Sequence, residues 1–173
     1  MVAQNRDLIA QAERISGDRF SVTATTSKGA TVYSVNQPST AVLSAIDSGL
    51  TDLFNVARKN GYNRFLNYSE YIVFIANPDR LKDSDGKYSP DIAVGAAQYA
   101  GSVYDKGGYI YAAGMVINFD PGAFLIAEHT KDLGRVSNVV RYEGEHIVLY
   151  HNDRKRYYAT ADHSRGGGHP ILQ

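Results

Sequence analysis

The run Tyr142-Glu143-Gly144-Glu145-His146 gathers a phenol, two carboxylates and an imidazole into five residues of a chain that has only five histidines. On a helix, residues three and four apart share a face. Tyr142 and His146 would therefore stand one above the other, with Glu143 beside His146. An imidazole and an oxygen donor in that relation can hold a divalent cation, and an adjacent carboxylate can take a proton from a water that the cation polarises. The run differs at one position from His-Glu-x-x-His, whose two outer imidazoles grip one ion. Tyr142 holds the first of those positions. A phenol has an ordinary pKa of about 10, so a nearby cation would have to lower it before the oxygen became a good ligand.

Further donors lie downstream, since four of the five histidines fall at or after position 146. Asp153 follows His146 by about two helical turns and faces the same way if the helix continues. His163 lies where Ser164-Arg165-Gly166-Gly167-Gly168 can fold the chain back on the helix, and His169 can take its place. These residues allow two geometries. In one, implied by the resemblance of the run to His-Glu-x-x-His, His146, Asp153, His163 and Tyr142 are the candidate metal ligands, and Glu143 is the general base. In the other, Glu143 itself joins His146 and a downstream donor in a mixed nitrogen and oxygen site suited to zinc, iron or manganese. Tyr157 or Tyr158 is a candidate donor to a developing oxyanion. His151, five residues from His146, points around the helix from it. His129 reads as a loop residue at the edge of any cleft.

These groups need elements to position them. Leu8, Ile9, Ala12 and Ile15 predict a helix over residues 5–16. Residues 19–36 read as a β-hairpin turning at Ser27-Lys28-Gly29. Pro38-Ser39-Thr40 opens a helix to about Asn60, with one apolar stripe through Val42, Leu43, Ile46, Leu50, Leu53, Phe54 and Ala57. Gly49 inside it costs helix propensity and implies close packing, here expected against a sheet. Tyr71-Ile72-Val73-Phe74-Ile75-Ala76 is apolar without alternation, which predicts a central strand buried on both faces. Residues 91–102 and 108–117 read as two strands joined at Asp105-Lys106-Gly107-Gly108. Asp120-Pro121-Gly122 is a turn before a strand from Ala123 to Glu128. Asp132 or Ser137 then caps the motif helix, which ends near Asn152. The reading is one α+β domain over 1–173: an N-terminal helix and hairpin (1–36), a core (38–153) and a C-terminal tail (154–173). A mixed, twisted sheet packs on two main helices.

Composition narrows the function. The 18 basic and 18 acidic residues cancel, so there is no general attraction to nucleic acid or anionic membrane. Weak repulsion between copies makes a homo-oligomer an expectation. The absence of cysteine excludes disulfides, iron–sulfur clusters and thiolate zinc sites. The N-terminus is polar, and no run reaches the ~18 apolar residues of a membrane span. The chain therefore reads as soluble, and its compartment is not legible. Asp83-Ser84-Asp85-Gly86 resembles part of a calcium loop but lacks the remaining ligand spacing. The triple glycine at 166–168 has no P-loop Lys-Ser/Thr pair, so it reads as a tail needing positive φ. Arg154-Lys155-Arg156 reads as cations at a helix C-terminus.

The order of elements (a long helix, several strands, a short strand, the motif helix) together with the partial motif resembles the zincin-like metallopeptidases over residues 40–150. The resemblance implies zinc or another divalent metal, a peptide or protein substrate, Glu143 as general base, His146 as second ligand and Tyr142 at the first-ligand position. It also implies that the strand before the motif helix lies at the sheet edge, where extended substrate pairs with it. A second reading comes from the 13 tyrosines set against 6 phenylalanines and no tryptophan. Tyrosine suits half-wet strand faces and interfaces, which fits a non-catalytic binding or assembly module on the same scaffold.

Overall fold

A computed structural model describes residues 2–77, 92–95, 109–128, 132–161 and 166–172. The elements run α1 (Val2–Ser16), β1 (Val22–Thr25), β2 (Thr31–Ser34), α2 (Thr40–Lys59), a single 3-10 turn (Tyr68–Glu70), β3 (Tyr71–Ala76), β4 (Ile92–Gly95), β5 (Tyr109–Ala112), β6 (Gly114–Phe119), β7 (Gly122–Ala127), α3 (Leu133–Asn152) and α4 (Arg154–Thr160). Five strands form one mixed sheet in the order β1-β2-β3-β7-β6, and β4 pairs with β5 as a separate antiparallel ribbon. This is an α+β fold. β3 lies between β2 and β7 and is parallel to both.

Alternation along β3 and β7 builds a three-layer body. Val73, Ile75, Phe124 and Ile126 join Ile46, Leu50, Leu53 and Phe54 of α2 and Val140, Ile147 and Val148 of α3 in one core. Ile72, Phe74, Leu125 and Ala127 face the opposite way, onto Leu8 and Ala12 of α1 and Phe20. Every residue of β3 and β7 is buried, as expected for strands covered on both faces.

Caps hold the two long helices at their ends. Ser39 accepts from the Val42 amide at the start of α2, and Asp132 accepts from the Arg135 amide at the start of α3. The helices pack where glycines remove side chains. A Cβ on Gly49 would stand 2.5 Å from the Ser137 carbonyl oxygen, and one on Gly144 would stand 2.5 Å from Leu53 Cδ2. Gly49 therefore serves contact between helices, not the expected contact with a sheet.

Three further expectations change. Residues 108–117 hold two strands, since β5 ends at Ala112 and β6 begins at Gly114. Residues 154–160 form a helix, capped when Asp153 accepts from the Arg156 amide. β7, just before α3, is interior; the antiparallel β6 lies beyond it at the end of the sheet order. The calcium-like run at 83–86, the turn at 105–108, His129 and His163 lie outside the described residues. No helix among the described residues is long and apolar enough to cross a membrane.

Candidate metal centre

α3 is enclosed on several sides, and each enclosure selects different side chains. Toward α2, Val140 meets Gly49 and Gly144 meets Leu53. Toward the sheet, Val139 and Glu143 crowd Gly114 of β6, and Ile147 crowds Gly122 of β7. The remaining face carries Tyr142, Glu145 and His146, and the C-terminal segment covers it.

That segment is positioned by short-range contacts. Gly166 takes φ +82°, the left-handed turn that glycine makes without strain. The Gly168 amide donates to the Thr160 carbonyl at 2.9 Å, and Arg156 Nη2 donates to the Pro170 carbonyl at 3.5 Å. Ile171 is buried, and Leu172 packs against the α2–α3 core. His169 is thereby laid over the helix, its ring centroid 4.7 Å from those of both Tyr142 and His146. One donor atom from each of Glu145, His146 and His169 lies within 4.8 Å of the others. His169 Nδ1 stands 3.9 Å from Glu145 Oε1.

The electrostatics of this group are set by burial. Glu145 is 0% exposed, and neither carboxylate oxygen closes a hydrogen bond of ordinary geometry. Burial pushes its pKa up to about 7, opposed by the nearby Ile171 and Leu172 amides and the Arg156 guanidinium. Removing a carboxylate from water without full compensation is costly, so this position favours a cation. Glu143, half-buried on the sheet side, is also raised to about 7 by burial, against the lowering effect of the Val116 amide.

The predicted residues separate accordingly. His146 is in the cluster and Tyr142 borders it, with His169 as the downstream donor. Glu143 faces β6 and stands outside the cluster. Asp153 is engaged elsewhere: Oδ1 accepts from the Arg156 amide and Oδ2 from the Tyr62 hydroxyl. The helix ends at this residue, so the two-turn projection from His146 does not carry it to the site. Tyr157 packs among Phe119, Tyr150 and Tyr158. His151 stacks on Phe65 at 3.8 Å and bonds the Phe119 carbonyl at 2.6 Å, which makes it structural. Arg154 Nε donates to the Tyr150 carbonyl at 2.6 Å, the helix-end role expected of it.

Glu145 is the member that sequence reasoning missed. The signal lies in Val148 and Leu149, apolar in the sequence and both fully buried. These residues lie three and four positions after Glu145, so including them puts Glu145 on a buried face.

The donor set fits a divalent transition metal. One carboxylate and two imidazoles match both three-ligand zinc sites and the two-histidine, one-carboxylate arrangement of iron. Donors around a tetrahedral zinc stand about 3.4 Å apart, so closing the group takes a contraction of roughly an ångström. No protein-family model, no curated protein and no solved structure matches this chain.

Proposed function

We propose that this protein is a metal-dependent hydrolase, with Glu145, His146 and His169 holding a divalent cation and a peptide or protein as substrate. The carrying observation is the fully buried Glu145 carboxylate, whose oxygens lack ordinary hydrogen bonds beside two imidazoles. A bound cation would supply Lewis acidity, polarising a carbonyl and easing loss of a proton from water. Glu143 lies on the sheet side of α3, apart from the cluster, so the proton of the attacking water passes to solvent and the departing amine nitrogen gains one from solvent. The C–O bond forms and the C–N bond breaks, with no other group altered. The resemblance to zincin-like peptidases would make Glu143 the base, but its carboxyl is held on the sheet side against Gly114 and the Val116 amide.

Metal content and hydrolysis test this together. Protein purified without added metal is measured by inductively coupled plasma mass spectrometry, then reloaded with zinc and assayed on a mixed peptide library. About one zinc per chain and peptide cleavage are expected. Glu145→Gln and His146→Ala should lose metal and activity, whereas Glu143→Gln, outside the cluster, should keep both. A chain that binds no divalent metal sinks the proposal.

A second reading is favoured by a different observation. Phe119, Tyr150 and Tyr157 stack into one aromatic group, Arg154 lies 3.5 Å over Tyr150, and Tyr158 is 70% exposed. Such a surface suits a non-catalytic binding module. Light scattering separates the readings: a metal-free, stable oligomer weakened by Tyr158→Ala would support the module.

A further inference from the structure

Two of the three donors belong to α3, and the third arrives on a segment at the far end of the chain. We infer that the cation is also a clasp: its binding and the docking of residues 166–172 onto α3 are one coupled equilibrium. The inference rests on the metal site proposed above and extends it.

Docking changes the surroundings of Glu145. With the segment in place, Glu145 is 0% exposed and His169 only 13% exposed. With the segment away, water would reach the carboxylate. Docking therefore strips water from an anionic group, which opposes it. Other contacts favour it. They include the Gly168–Thr160 bond, the long 3.5 Å bond from Arg156 to Pro170, the burial of Ile171 with Leu172, the His169 ring against Tyr142 and His146, and the Ile171 and Leu172 amides, which offset part of the cost at Glu145. A cation shared by Glu145, His146 and His169 removes the opposing term and adds a covalent-like tie from segment to helix. Linkage then requires that whatever docks the segment tightens the cation, by the same factor. The segment thus completes the site and shields it from solvent on one side.

Hydrogen exchange of the full chain, read by mass spectrometry on peptides spanning 166–173, tests this without any activity measurement. The metal-free protein is compared with protein in saturating zinc, and zinc binding is measured independently by competition with a chromogenic chelator. Exchange at Gly168, His169, Ile171 and Leu172 should slow at least tenfold on zinc addition, with little change at the β3 amides. In Glu145→Gln the same amides should already be protected without zinc, because a neutral amide is cheaper to bury, and zinc should add nothing. His169→Ala should exchange fast under both conditions and serves if the Gln variant fails to fold. If zinc binds but leaves the 166–173 exchange unaltered, the clasp is wrong and the metal site stands. If zinc does not bind, both fall.

Discussion

His169 Nδ1 stands 3.9 Å from Glu145 Oε1, across the gap between α3 and the C-terminal segment. This pairing joins a mid-helix residue to one near the chain end, and it brings Glu145 of the Glu143-Gly144-Glu145 run, not Glu143, into the candidate cluster. Two residues apart on a helix point to different sides. Glu143 goes to the sheet side at Gly114, and Glu145 goes to the tail.

Glu145→Gln should stabilise the metal-free protein. A buried carboxylate without ordinary hydrogen bonds opposes folding, and an amide of the same shape does so less, by on the order of 1–3 kcal/mol. Urea unfolding at pH 8 in chelator should show a higher midpoint for the variant. Zinc should raise the midpoint of the native chain and leave that of the variant where it was.

Gly49→Ala should be more damaging than Gly144→Ala. The new methyl at 49 meets a backbone carbonyl at 2.5 Å and Val140 Cβ at 3.0 Å, neither of which can swing away. At 144 the obstacle is Leu53 Cδ2, the end of a side chain that can change rotamer. Overpacking costs about 1–3 kcal/mol and the better helix former returns about 1 kcal/mol. The net loss should be clear at 49 and near zero at 144, read from chemical denaturation.

Much of this architecture is legible in the sequence because local rules and tertiary packing agree. Ser39, within the predicted Pro38-Ser39-Thr40, and Asn60 bound α2, and the unbroken apolar run at 71–76 is the buried central strand. The hairpin turning near Lys28 is also found, with β1 antiparallel to β2. Other features depend on partners that periodicity does not reveal. Residue types alone do not separate β5 from β6, since Ala113 breaks no pattern, yet the chain changes sheets there. The interior place of β7 follows from pairing with β3 and β6, which no residue in Gly122–Ala127 encodes alone. At the site, helical spacing puts Tyr142 beside His146, and the structure has both rings against His169, whereas the tail that covers Glu145 is not encoded in the helix itself.

Asp153 should make stability depend on acid. Its pKa lies below the ordinary aspartate value of 3.8, first because of the Arg156 amide and then the Tyr62 hydroxyl. A lowered pKa means the folded state favours the charged form, so the contribution is complete above the unfolded value and is lost as pH falls through the folded one. Asn at this position can still cap α4, which isolates the charge. The difference in thermal midpoint between the native chain and Asp153→Asn should be constant from about pH 5 upward, above the ordinary aspartate range. It should shrink below the value of 3.8 that the free side chain shows.

Tyr142→His should tighten the metal. The Tyr142 ring already sits 4.7 Å from the His169 ring, and it precedes His146 by one helical turn. An imidazole there would bring a fourth nitrogen or oxygen donor to a three-donor site. Closed four-ligand sites bind zinc as structural centres, whereas catalytic sites keep one position open. Zinc affinity should therefore rise tenfold or more while peptide cleavage falls, a pairing that simple damage to the fold would not produce. An unchanged zinc affinity would mean that position 142 only packs against His169 and takes no part in holding the ion.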